Sequence, residues 1–125
     1  MKTIHKQVKY RDFEVDEKML PINKQLNENG IETLYSCQGD ENDRPYVLIR
    51  ASDKADKFLK KVVKLDDSLA CHFNITHYPS NLEAKITCRF GEYRYYITCL
   101  NVELMQYVFN MAIGILNKKE DNKND

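Results

Sequence analysis

Hydrophobic side chains recur along this chain at two different periods, and the period sets the element expected at each place. Ile4, Val8, Tyr10, Phe13 and Val15 alternate imperfectly with charged neighbours, which predicts one or two irregular strands. Met19, Ile22 and Leu26 then follow helical spacing with a single apolar stripe. Pro21 is compatible only with a first turn, so that helix starts near Asp16 to Met19 and runs about three turns. Gly30 is a natural left-handed stop, beyond which Ile31 packs back on Leu26. Residues 31–37 are β-branched and aromatic and predict a strand. Residues 46–50 predict another, apolar on both faces at Val47 to Ile49 as in a central strand. The polar turn formers of residues 38–45 connect the two.

Ser52 is placed to cap a second helix, with Asp53 in its first turn. Ala55, Phe58, Leu59, Val62 and Val63 form its apolar face, and Lys54, Lys57, Lys60, Lys61 and Lys64 its solvated one. From Cys71 to Leu100 the alternation is strict. Cys71, Phe73, Ile75 and His77 share one face, then Leu82, Ala84, Ile86, Cys88 and Phe90, then Tyr93, Tyr95, Ile97 and Cys99. Pro79-Ser80-Asn81 and Gly91-Glu92 are the turns, so an antiparallel meander with one buried face is expected. Asn101 caps a last helix that keeps Met105, Val108, Phe109, Ala112, Ile115 and Leu116 on one broad stripe. The order β-α-β-β-α-β-β-β-α predicts an α+β fold: a two-layer sandwich, with a largely antiparallel sheet and three helices on one face. Residues 1–117 are expected to form one domain, and 118–125 a disordered polar tail.

Charge narrows the function classes. Nineteen basic residues balance nineteen acidic ones across 125 residues, which excludes a generally basic nucleic-acid-coating protein but not a local basic face. No apolar run approaches the ~20 residues of a membrane span, and the first residues lack the apolar core of an export signal, so a cytoplasmic location is expected. Four cysteines, at 37, 71, 88 and 99, contain no Cys-x-x-Cys pair. In a reducing compartment they read as free thiols, three of them inward-facing. A metal site built from Cys71, His72, Cys88 or Cys99 lacks ligand spacing, and no metal is assigned. Asp40-Glu41-Asn42-Asp43 reads as a turn and not as a calcium loop.

Two places carry candidate chemistry. If Gly91-Glu92 is a hairpin turn, Arg89 lies across from Arg94 on the outer sheet face, with Thr87 opposite Tyr96. Glu83 or Glu92 neutralises that pair, or both arginines extend into water; alternatively they hold a phosphate while a base stacks on Tyr96. Arg89, Arg94 and Tyr96 are therefore the partner-binding candidates. The second place is Ser36, Cys37, Gln38 and Gly39, where a strand ends in a glycine-containing loop whose backbone amides can converge on an anion. A nucleophilic Cys37 needs a base, and nothing in the sequence brings His72 or His77 to it.

Residues 16–49 carry a resemblance. Met19-Leu20-Pro21-Ile22, Leu26-Asn27, the strand with Thr33 that ends in Ser36-Cys37-Gln38-Gly39, and Tyr46-Val47-Leu48-Ile49 are similar to the wybutosine-pathway tRNA methyltransferase family. Small bacterial and phage proteins share the same Ser-Cys-x-Gly segment. Ile86-Thr87-Cys88-Arg89 echoes a later strand of the family. The chain departs from the family at Tyr35, Gln38 and Asp40, the last replacing a basic residue. The resemblance implies a loop at 36–39 that binds S-adenosylmethionine or RNA.

Two functional expectations result. The first is a non-catalytic binding or regulatory protein with a protein or nucleic-acid partner. Fourteen lysines against five arginines, with eleven asparagines, fit an AT-rich genome such as that of a low-GC bacterium or its phage. The second is a small S-adenosylmethionine-dependent RNA-modifying enzyme; the residues themselves leave the cofactor unknown. Self-association as a homodimer through Tyr78 and Tyr96 is a third.

Overall fold

Strand and helix periods translate directly into elements in the computed structural model, which describes residues 5–78 and 94–123, with side chains at 5–76 and 94–118. β1 (Gln7–Tyr10) and β2 (Phe13–Asp16) form a separate antiparallel hairpin, the irregular strands expected at the start of the chain. A 3-10 turn (Glu17–Met19) leads into α1 (Leu20–Glu28), where Pro21 sits in the first turn and costs no hydrogen bond. The helix stops where expected. Gly30 adopts φ +80°, and the Ile31 N–H returns to the Leu26 carbonyl at 2.9 Å.

β3 (Thr33–Cys37), β4 (Tyr46–Arg50), β5 (Asn74–Tyr78) and β6 (Arg94–Thr98) form a four-stranded sheet in the order β3-β4-β6-β5, every pair antiparallel. α2 (Asp53–Leu69) begins at Ser52, whose Oγ accepts from Ala55 N–H at 3.0 Å. α3 (Val102–Lys123) begins at Asn101, whose Oδ1 accepts from Leu104 N–H at 2.8 Å. It continues into the polar segment assigned above to a tail.

Val47, Ile49 and Ile97 lie on one sheet face and share a single core with Ile22 and Leu26 of α1, Phe58 and Val62 of α2, and Met105 and Phe109 of α3. All three helices therefore cover the same face. The fold is α+β, and the element order matches the expected one. The Leu82–Phe90 stretch lies outside the described residues. Both edges of β6 are occupied, by β4 and β5, so like charges meet at Arg50 and Arg94 across the ladder and not at the expected Arg89–Arg94 pair. Arg89 itself is outside the described residues. No helix among the described residues is long and apolar enough to cross a membrane.

One irregularity positions the site. A bulge between Thr33 and Tyr35 shifts the β3 register, so that Thr33 pairs with Ile49 and Ser36 with Val47 on the helix side. Tyr35 and Cys37 consequently face outward. Strict alternation would have put Thr33 on the same face as both of them.

Candidate functional site

The Ser36–Gly39 loop is built inward before it is built outward. Asn23 of α1 donates through Nδ2 to Ser36 Oγ (3.0 Å) and to the Met19 carbonyl (2.9 Å). One turn later Asn27 Nδ2 donates to Thr33 Oγ1 at 2.8 Å, and Thr33 N–H donates back to Asn27 Oδ1. Ser36 and Thr33 thus bind β3 to α1. Asn23 and Thr33 are buried, so losing either partner leaves a polar group unpaired in the interior. Gly39 is also structural. It adopts φ +73°, and a Cβ placed there would lie 2.5 Å from the Asp43 carbonyl oxygen. Asp40 turns the next corner by accepting from the N–H groups of Asn42 and Asp43, which hold its carboxyl below the usual value. That settles the acidic loop as a turn.

The two loop amides diverge: one meets a carboxylate of the protein itself and the other a thiol. Gln38 N–H donates to Asp16 Oδ2 at 2.8 Å, while Gly39 N–H points at Cys37 Sγ, 3.5 Å away. Asp16 is buried at the end of β2 and also accepts from Gln7 Nε2 and from His5 Nδ1, the latter at 3.0 Å. One donor atom each of His5, Asp16 and Cys37 lies within 4.8 Å of the others. The histidine beside Cys37 is therefore His5, which sequence reasoning passed over in favour of His72 and His77. His72 is exposed at φ 55°; His77 pairs through its backbone with Tyr95. Only the pairing of β2 with β1 and its approach to β3 bring residues 5, 16 and 37 together, and no spacing rule encodes that.

Most of the groups around Cys37 favour its thiol over its thiolate. Burial pushes its thiol pKa up, and Asp16 and Asp40 add to that; only the Gly39 N–H acts the other way. Cys71 and Cys99 are buried thiols, with Cys99 pushed up to about 11 by burial, as expected of cysteines acting as small hydrophobes. Cys88 lies outside the described residues.

The outer sheet face carries a row of tyrosines. Tyr35, Tyr46 and Tyr96 come from β3, β4 and β6, with ring centroids 6.2 Å apart for the first pair and 5.1 Å for the second, both stacked. Tyr35 ends the row and is 64% exposed. Arg94 lies two residues along β6 from Tyr96 on the same face, as the alternation predicts. Tyr35 and Tyr46 went unnoticed in the sequence because the bulge, and the pairing of β4 with β6, create the row. A cleft of about 490 Å³ runs between the β1–β2 hairpin and β3, walled by Phe13 and Tyr35 above Asp16 and Cys37. A second of about 520 Å³ lies over Arg44, Tyr96 and Thr98. His5, Cys37 and Tyr46 line both.

Burial, followed by Cys37 and the flanking tyrosines and Asp16, pushes the Tyr46 hydroxyl up to about 12. Tyr95 is likewise pushed up to about 12 by burial and by its hydrogen bond to Asp56. Both phenols hold their protons more tightly in the folded than in the unfolded chain. Their contribution to stability is therefore intact below pH 10 and lost as the pH rises through about 12. Urea midpoints measured from pH 8 upward should fall across that window, and Tyr46→Phe with Tyr95→Phe should make the fall shallower. An unchanged slope would refute the assignment.

Comparison with family models, curated proteins and solved structures found no match to this chain.

Proposed function

We propose that this is a non-catalytic binding protein that takes unstacked, single-stranded nucleic acid on the outer face of its four-stranded sheet. The observation that carries the reading is the stacked row of Tyr35, Tyr46 and Tyr96 across three adjacent strands, opposite the face the helices cover. An aromatic ring offers a base a stacking surface worth about 1–3 kcal/mol, whatever its sequence. Arg94 and Arg44 flank the row and make the face there locally positive. With zero net charge and few phosphate contacts, the salt dependence of binding should be shallow.

The alternative, an S-adenosylmethionine-dependent RNA-modifying enzyme at residues 36–39, has less support. The amides that would receive the cofactor already point at Asp16 and Cys37, and the Gly39 Cα is packed against the Asp43–Pro45 backbone.

Fluorescence anisotropy with a labelled single-stranded RNA of about ten nucleotides tests the proposal, with the duplex of the same sequence as control. The single strand should bind more tightly, with a shallow dependence on salt. Tyr35→Ala and Tyr96→Ala should each weaken it on the order of 10-fold, with both variants still folded by circular dichroism under the binding conditions. Equal affinity for the duplex, or tyrosine variants that bind like the original, would sink the reading.

A further inference from the structure

We propose that His5, Asp16 and Cys37 form a binding site for a borderline-soft divalent cation of the zinc class, with a fourth coordination position open to the clefts. The proposal goes beyond the tyrosine face and does not depend on it. Three separate elements deliver the donors: the segment before β1, the end of β2 and the end of β3. An imidazole nitrogen, a carboxylate oxygen and a thiol all lie within 4.8 Å of one another.

Two observations point to a cation as the missing member. Asp16 is a buried carboxylate, and among the described residues no lysine or arginine lies within ion-pair distance of it; its only such neighbour is His5. A buried anion needs compensating charge. His5 Nε2 is also buried without a hydrogen-bond partner among the described residues.

The donor set selects the metal. A thiolate with an imidazole and one carboxylate suits zinc and disfavours calcium or magnesium, which take all-oxygen shells. The surroundings resemble an outer coordination sphere. Gln7 Nε2 and Gln38 N–H orient the Asp16 carboxylate, and Gly39 N–H is directed at the sulfur. Tetrahedral zinc at about 2.0–2.3 Å from each ligand places the ligand atoms roughly 3.3–3.8 Å apart. With every pair within 4.8 Å, no pair has to close by more than about 1–1.5 Å, and if His5 binds through Nδ1 its 3.0 Å contact with Asp16 Oδ2 opens slightly. Cys37 binds as thiolate, its proton passing to solvent. The clefts meeting at His5, Cys37 and Tyr46 leave room for a water molecule or an external ligand in the fourth position.

The test is titration of the full chain, stripped with chelator and kept reduced, first with Co²⁺ by absorption spectroscopy and then with Zn²⁺ by competition. One equivalent should produce a thiolate-to-cobalt charge-transfer band with tetrahedral visible bands, and Zn²⁺ should abolish both. Cys37→Ser should remove the charge-transfer band, whereas Cys71→Ala should keep it. His5→Gln should weaken binding by more than the roughly 10–100-fold typical of losing an outer-sphere partner. His5 lies outside every helix and strand, so this variant keeps the test available if a change at buried Asp16 disturbs folding. Absence of a charge-transfer band, or a band that survives Cys37→Ser, would overturn the proposal. Oligonucleotide binding measured in chelator reads the tyrosine face separately.

Discussion

Phe109→Ala should lower the unfolding free energy by about 3–5 kcal/mol, a large share of the roughly 5–15 kcal/mol that holds a typical domain folded. Phe109 is fully buried on α3, edge-on to Phe58 of α2 at 5.0 Å and tilted against Phe73, which precedes β5, at 5.9 Å. Its ring thus joins three separate pieces of the core. Removing it deletes apolar contacts on all sides and leaves a cavity that those elements cannot jointly close. Urea denaturation followed by far-ultraviolet circular dichroism gives the number. Ile115→Ala, at a more exposed position of the same helix, should change stability by no more than about 0.5 kcal/mol. A loss below about 1 kcal/mol for Phe109→Ala would mean that the α2–α3 packing is not as described.

Gly39→Ala should have the next largest effect, and it separates two roles that glycine can play. Its Cβ would meet the Asp43 carbonyl oxygen at 2.5 Å, Pro45 N at 2.7 Å and Arg44 C at 2.8 Å, all backbone atoms that cannot swing aside. The left-handed backbone alone costs about 1–3 kcal/mol for a residue with a side chain, and the collision adds to it. The loop must open, and Gln38 N–H then leaves Asp16. The other glycines grade the effect. Gly30→Ala keeps the left-handed penalty of about 1 kcal/mol but meets only the flexible Lys54 side chain, at 3.5 Å. Gly114→Ala meets nothing within 4 Å inside α3 and should stabilise by about 0.5–1 kcal/mol. Urea midpoints in the order Gly39→Ala, Gly30→Ala, original, Gly114→Ala would bear this out. Alkylation of Cys37, mapped by mass spectrometry, should be fastest in Gly39→Ala. A Gly39→Ala midpoint equal to the original would contradict the packed turn. Because this glycine holds the loop together, loss of a ligand in a Gly39 variant does not by itself locate a binding site.

Local signals carried most of the fold. Ser52 and Asn101 cap the helices they were expected to cap, and Gly30 ends α1 in a left-handed conformation, because capping and chain reversal depend on residues a few positions apart. The candidate site depends on distant pairs and was only half legible. Cys37 stood out as a strand-end thiol, but the two residues beside it lie 32 and 21 positions earlier in the chain and reach it through the β1–β2 hairpin. The bulge at Thr33/Tyr35 erased the simple alternation of β3, which is why Thr33 and Ser36 turned out to hold α1 and Tyr35 to join the tyrosine row. Tyr96 and Arg94 were correctly given a common face, since β6 is regular. The strand order between β4 and β5 was not written in any local pattern.

β6 comes after β5 in sequence yet lies between it and β4. Arg50 must find its ladder partner 44 positions later, at Arg94, before the two halves of the sheet become one. Closing such a loop costs entropy before any contact repays it, so the topology predicts that β6 docks late in folding. The β3–β4 hairpin and α1 involve only short separations and can form while the rest of the chain is still being synthesised. Tyr96 enters with β6, and the aromatic row has no third ring until it does. The complete aromatic row is thereby withheld from incomplete chains: a nascent or truncated molecule lacks the surface that a finished one presents.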